Sequence, residues 1–376
     1  MGALAVSRDG IVGAIERSWS GLPGSVPWTA AFLPVAGAYA IAAGFARARA
    51  SRTRTTVAGM HVVSVGNLTV GGTGKSSLAR WLAREAADAG RRCAVLLRGH
   101  GASAALDAPS AVPDFSSYPL VGGAGRYGDE ALAHRAALPR SVAVIVDRDR
   151  RRAADAARFG YGASAAILDD GWEQGALAWD ELWVLLDPHH PLGNGYMLPA
   201  GPLRRPASAL EEATVIALIL ESEEEQVPDS TLKLAARLAP RAPVVRFRRT
   251  FLGVSPIGSS DLAPWTPADG PAGLLTAVGS PGRVERFAAG AGISVRRHES
   301  LPDHASASPS TMIAALMRLR LVGATVALVT DKDEHRWVFP DPSPLPVRVL
   351  RTGLRPLDAV SALLAPLRGS SSPGVC

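Results

Sequence analysis

Residues 62–78 read Val-Val-Ser-Val-Gly-Asn-Leu-Thr-Val-Gly-Gly-Thr-Gly-Lys-Ser-Ser-Leu: a strand-like run enters a glycine-rich turn, and a helical pattern starts at Lys75. Gly71, Gly72 and Gly74 allow backbone N–H groups to turn inward around phosphate oxygens where any Cβ would crowd. The helix N-terminus behind them adds partial positive charge. Gly71, Gly72, Thr73, Gly74, Lys75 and Ser76 would together cradle a nucleoside triphosphate. Lys75 would reach its β- and γ-phosphates, and the Ser76 hydroxyl would face Mg²⁺. The strict G-x-x-x-x-G-K-[ST] pattern has Gly where this chain has Thr69. A glycine-rich turn with an incidental lysine is the alternative, but the flanking strand and helix are the context that the phosphate loop requires.

Such a loop needs acidic partners at neighbouring strand ends. Asp169 and Asp170 end the apolar run Ala-Ala-Ile-Leu (165–168), where a carboxylate would hold Mg²⁺ directly or through water. The same pair could instead cap a helix or stay solvated. Asp129, in Arg-Tyr-Gly-Asp-Glu-Ala (126–131), opens a helical run. There it either complements the helix dipole or supplies a functional carboxylate.

Positioning these groups falls to an alternation of strands and helices typical of a parallel α/β sheet. Strand-like runs occupy 61–65, 93–97, 142–146, 165–168, 182–186 and 215–220, with helical patterns at 75–89, 129–138 and 149–158. A charged, proline-bearing stretch follows at 221–229. A shorter α/β pattern begins near 273 and ends with Thr-Val-Ala-Leu-Val-Thr (325–330). The runs at 244–249 and 347–351 flank that block and could pair. The expected fold is therefore α/β: a P-loop NTPase-like, mostly parallel sheet domain with a second, smaller α/β domain joined by a two-stranded connection. The divisions fall at 1–50 (an N-terminal membrane-associated helical segment), 51–243 (P-loop domain), 244–351 (smaller domain with connecting strands) and 352–376 (a C-terminal helix and tail returning to the first).

Composition narrows the partners. With 47% hydrophobic residues the chain has too much apolar content for disorder, and neither a collagen period nor sustained heptads occur. Two cysteines, Cys93 and the terminal Cys376, exclude a disulfide framework and suit a reducing compartment. The first residues lack the basic, apolar, small-residue order of a cleaved signal. The net charge of +6 admits nucleic acid, an anionic membrane or a phosphorylated substrate. Trp28–Phe45 is the most apolar stretch and is followed by Arg47, Arg49, Arg52 and Arg54. Pro34 and small residues interrupt it, so an interfacial helix with a basic flank is expected over a full span, with a buried helix as the alternative.

Taken together the motifs resemble the tetraacyldisaccharide 4′-kinase (lipid A 4′-kinase) family along nearly the whole chain. Gly-Asn-Leu-Thr-Val-Gly-Gly-Thr-Gly-Lys-Ser (66–76) reproduces its variant phosphate loop, including Thr69. Arg-Gly-His-Gly (98–101), Gly-Asp-Glu (128–130), Asp-Asp-Gly (169–171) and Gly-Asn-Gly-Tyr-Met-Leu-Pro-Ala-Gly-Pro-Leu-Arg (193–204) are similar to further signatures. So are Val-Gly-Ser-Pro-Gly-Arg-Val-Glu-Arg-Phe (278–287), Leu-Pro-Asp-His (301–304) and Thr-Asp-Lys-Asp (330–333).

The resemblance implies ATP- and Mg²⁺-dependent phosphorylation of a tetraacylated glucosamine disaccharide 1-phosphate on its 4′-hydroxyl. Asp129 would be the base, paired with His304. Lys75 would assist transfer, Ser76, Asp169 and Asp170 would manage the metal, and Arg98, Arg148, Asn194 and Arg204 would contact substrate. It further implies a monomer at the cytoplasmic face of the inner membrane, peripheral or N-terminally anchored on an anionic surface, with no nucleic-acid partner.

The chain departs from the family pattern at Trp172, Glu173 and Gln174, where the family has Phe-Gln-His, and at Arg205, where it has Glu. His100 replaces a Tyr and Asp331 a Glu. A catalytically impaired nucleotide-binding homologue and a P-loop kinase acting on a different substrate are the competing readings.

Overall fold

Strand β1 (His61–Asn67) is buried at every position after its first, as expected for a run without polar alternation that is covered on both faces. The structure is a computed structural model describing residues 19, 26–52, 54–99, 102, 108–113, 123–173, 175, 177–259, 261–278, 281–301 and 307–369. β1 lies between β5 (Ala165–Asp169) and β6 (Glu181–Leu186), parallel to both. The sheet continues through β2 (Cys93–Leu97), β4 (Val142–Val146) and the short antiparallel edge β3 (Ser110–Ala111) on one side. On the other it continues through β7 (Val215–Leu220) to β8 (Val244–Pro256).

β8 then pairs antiparallel with β12 (Val347–Pro356), from Arg348 opposite Pro256 to Pro356 opposite Phe247. Parallel strands β11 (Val326–Val329), β9 (Ala272–Thr276) and β10 (Val295–Ser300) follow β12. All twelve strands among the described residues form one sheet. The two connecting strands are longer than the runs at 244–249 and 347–351, because residues 250–256 and 352–356 make cross-strand pairs that side-chain pattern does not require.

The helices are, in chain order, α1 (Val26–Ser51), α2 (Lys75–Asp88), α3 (Gly123–Tyr127), α4 (Asp129–Ala137), α5 (Arg150–Asp155), α6 (Asp229–Leu238), α7 (Pro281–Gly290), α8 (Pro309–Leu321), α9 (Asp331–Arg336) and α10 (Ser361–Arg368). α6 was not evident from the charged stretch before it. α9 forms at Thr-Asp-Lys-Asp because Thr330 caps it by accepting the Asp333 N–H. Helix α2 covers one face of the sheet, where Trp81 meets Phe247 edge-on with ring centroids 4.8 Å apart. α10 closes the same layer, and its Arg368 pairs with Glu85 of α2 at 2.6 Å.

Helix α1 is continuous across Pro34, contrary to the interruption expected there. A proline removes one N–H donor and crowds one carbonyl, which costs a rung of this 26-residue ladder and does not end it. Thr29–Ser51 is long and apolar enough to cross a membrane. Ile41 and Phe45 are 63% and 74% exposed, so α1 is not a helix buried against the domain behind it.

Candidate active site

The phosphate loop and Asp169 share an edge of the sheet because β1 and β5 are parallel neighbours, with Val65 opposite Asp169. Gly74 caps α2 with φ +98°, a left-handed conformation that favours glycine, and a Cβ there would come within 2.7 Å of Ile219. Thr69 takes the place of a loop glycine because the backbone is extended at that point: it forms an antiparallel bridge with Leu203, a conformation that suits a β-branched residue. The bridge is extended by Val70 N–H donating to Pro202 O and Arg204 N–H donating to Leu68 O, each at 2.8 Å. It carries Arg204 to the loop, where its guanidinium sits 3.0 Å from Asp170.

Lys75 Nζ donates to Asn67 Oδ1 at 3.0 Å and lies 3.8 Å from Asp170. Burial pushes its ammonium below the usual lysine range, and Arg204 adds to this while Asp170 opposes it. Asp170 is at φ +54°, the one non-glycine residue in the left-handed region among those described. Aspartate tolerates that conformation at modest strain. Asp169 accepts from His134 Nε2 at 2.9 Å. Burial opposes its ionisation, but His134, Lys75 and Ser76 outweigh this and hold it below the usual carboxylate range.

The remaining oxygen, Asp169 Oδ1, is buried without a well-formed hydrogen bond among the described residues, although the Ser76 hydroxyl lies close enough to favour its ionised form. One such oxygen, a serine hydroxyl and the adjacent Asp170 fit Mg²⁺, which shares its shell with phosphates and water. No group of three or more His, Cys, Asp or Glu residues forms a metal cage among the described residues.

A cavity of about 1110 Å³ joins these groups to the far half of the sheet. α7 and α9 supply that wall. Arg283 donates to Gly72 O at 2.8 Å and to Asp187 at 3.0 Å. Lys332 pairs with Glu130 at 3.0 Å and Arg336 with Asp129 at 2.6 Å. Arg80 of α2 pairs with Asp331. Burial works against the Lys332 ammonium, yet Glu130 holds it above the ordinary lysine value. Lys332 and Arg336 lie four residues apart on α9, on one helix face. That spacing is visible in the sequence, but its target is not.

Burial pushes the Asp333 carboxyl up to about 6, against the pull of Thr330 and Arg336. A carboxyl raised in the folded state stabilises least when ionised, so stability relative to Asp333→Asn should fall as pH rises from about 4 to 6. Urea titrations of both proteins across that range would check this, and parallel curves would refute it.

Gly71–Ser76, Arg98, Asp129, Asp169, Asp170 and Arg204 all line the cavity. Arg148 and Asn194 do not. Arg148 is exposed, and Arg150 lines the cavity instead, because Asp149 caps α5 and starts it at Arg150. Asn194 pins its own turn, donating to Ala200 O at 3.0 Å. His304 lies outside the described residues, as do His100 and Gln174.

The departures at 172, 173 and 205 form one cluster. The Arg205 guanidinium stacks 4.2 Å from the Trp172 ring and pairs with Glu212 at 2.6 Å. The Trp172 indole N–H donates to the same carboxylate at 3.1 Å. Glu173 lies close enough to Arg205 to feel its charge, while burial pushes its carboxyl up. Arg205→Glu alone should therefore destabilise the fold by roughly 1–3 kcal/mol, because it sets a carboxylate in the buried Arg205 position beside two others, a cost that the 41% exposure of Glu212 moderates. Adding Glu173→Gln and Glu212→Gln should recover most of the loss, as chemical denaturation would show. Equal losses with and without the added changes would refute the coupling.

The sheet and its site define a P-loop phosphotransferase whose cleft lies between two α/β halves. The family model described as LpxK, tetraacyldisaccharide-1-P 4′-kinase, matches residues 28–367, and the chain belongs to that family. It is similar to a tetraacyldisaccharide 4′-kinase of Syntrophobacter fumaroxidans, 34% identical over 289 residues, covering 77% of this chain and 74% of that one. A second relative of the same name, from Phenylobacterium zucineum, is 32% identical over 348 residues, covering 89% and 94%. The fold is similar to the crystal structure of an "apo" form of LpxK from Aquifex aeolicus in complex with ATP, with a TM-score of 0.67 and 22% identity over 89% of this chain and 96% of that one.

Proposed function

We propose that this chain is an ATP-dependent kinase that phosphorylates the 4′-hydroxyl of tetraacyldisaccharide 1-phosphate, forming lipid IVA in lipid A biosynthesis. The observation that carries this reading is the convergence of Lys75, Asp129, Asp169 and Asp170 in one cavity in a chain of this family. Phosphoryl transfer asks chiefly for positioning and charge neutralisation. Gly71, Gly72, Thr73, Gly74, Lys75 and Ser76 hold the triphosphate, and Arg98 and Arg204 lie where they neutralise anionic groups. Mg²⁺, held by Ser76, Asp169 and Asp170, supplies charge neutralisation across the phosphates when bound. Asp129 accepts the sugar hydroxyl proton, with His304 as the partner that the family resemblance implies.

Helix α1 anchors the protein at the cytoplasmic face of the inner membrane, with Arg47, Arg49, Arg52 and Arg54 facing anionic headgroups. The protein acts as a monomer without nucleic acid. Residues 51–243 serve as the nucleotide domain and 244–351 as the smaller one.

Purified protein incubated with γ-labelled ATP, Mg²⁺ and the lipid disaccharide in detergent should transfer label to the lipid. ATP binding without transfer would favour an impaired homologue, and lipid-independent ATP consumption would favour a different substrate.

A further inference from the structure

We propose that His134 is a positioning residue for Asp169: it holds one carboxylate oxygen so that the other stays turned toward the metal–nucleotide side of the cleft. The inference rests on the kinase reading above. His134 sits on α4 five residues after Asp129, and its side chain has no exposed surface. Its Nε2 lies 2.9 Å from Asp169 Oδ2, while Nδ1 finds no partner among the described residues. Burying an imidazole with one nitrogen unmatched costs free energy that an apolar residue of similar size would avoid.

What the cost secures is the single bond to the acid at the end of β5. An imidazole that donates Nε2–H to a carboxylate fixes it through one oxygen and leaves the other available to a metal ion. Arg150 donates to the Asp169 backbone carbonyl at 3.1 Å, so main chain and side chain are both fixed. Only Oδ1 remains, beside the Ser76 hydroxyl.

Partners that orient a metal ligand are typically worth 10–100-fold in metal affinity. In the full-length protein saturated with ADP, His134→Leu should raise the half-saturating Mn²⁺ concentration by about that factor, read by electron paramagnetic resonance. ADP binding in EDTA should be unchanged. His134→Gln, whose side-chain N–H can reach the same oxygen, should recover most of the loss. A folded His134→Leu protein with wild-type Mn²⁺ affinity would overturn the proposal, as would a glutamine variant no better than leucine.

Should the leucine variant not fold, ¹⁵N spectra of the wild-type imidazoles decide. An Nε2–H signal that shifts when Mg²⁺–ADP is added supports the coupling, and an unmoved one refutes it. Neither readout uses lipid, so failure of the lipid-kinase reading leaves this test intact.

Discussion

Asp129→Asn should lower phosphoryl transfer by about 10²–10⁴-fold, the range that general-base catalysis contributes, while nucleotide affinity stays at the wild-type level. Asp129 opens α4, where its Oδ1 accepts the Glu130 N–H at 3.0 Å and its Oδ2 faces Arg336 at 2.6 Å. Asparagine keeps the shape and one acceptor oxygen but takes no proton from a sugar hydroxyl. Alanine is the poorer probe, because it also takes away the acceptor oxygen that asparagine keeps beside a guanidinium only 8% exposed, and a buried donor left unmatched costs further stability. Single-turnover transfer from labelled ATP, alongside a nucleotide titration, separates the two effects. A defect confined to nucleotide binding would end the base assignment.

Lys75→Met should weaken triphosphate binding and slow transfer by about 10²–10³-fold, comparable to removing one preorganised donor from a transition-state site. In the resting cleft the ammonium is shared by Asn67 and Asp170, both at the ends of the strand edge that the phosphates would occupy. Methionine matches the length of the stem without the charge. Asp169 and Asp170 then face each other's field and the nucleotide's with one cation fewer. Fluorescent-nucleotide titration and single-turnover rates would measure the two losses, and retention of both at wild-type levels would remove Lys75 from the machinery.

Which parts of this site could be read in the sequence follows from their separation along the chain. The phosphate loop is contiguous, so its glycines, Lys75 and Ser76 declare themselves. Asp169 and Asp170 were legible because an apolar strand ends on them. Arg283, Lys332 and Arg336 reach the loop and Asp129 only because β8 and β12 fold the second half back over the first, and no local pattern announces that closure. Helix phase decides between Arg148 and Arg150: Asp149 as cap turns Arg150 inward and leaves Arg148 outside. His134 is hidden for the same reason: in the sequence it is one position of a helical run, and only the fold places it beneath Asp169.

The strand boundaries follow apolar content well in the covered strands and poorly in β8 and β12, where arginines such as Arg246, Arg248, Arg348 and Arg351 interrupt the apolar pattern. Pro34 misled through its ordinary meaning in soluble helices. The departures at Trp172, Glu173 and Arg205 look independent in the sequence, whereas in space they meet around the Arg205 guanidinium, and Trp172 and Arg205 share the Glu212 carboxylate.

One contact at the end of α1 bears on how such an enzyme would be measured. A Cβ on Gly175 would come within 2.4 Å of Ala50, so the loop five residues beyond Asp170 touches the last turn of α1. Under the lipid-kinase reading, that contact holds the cleft at a fixed height against the plane in which its acceptor diffuses. Encounter then becomes a two-dimensional search. Turnover should follow the mole fraction of acceptor in the mixed surface, and adding inert detergent or phospholipid at constant total acceptor should slow the enzyme by surface dilution alone.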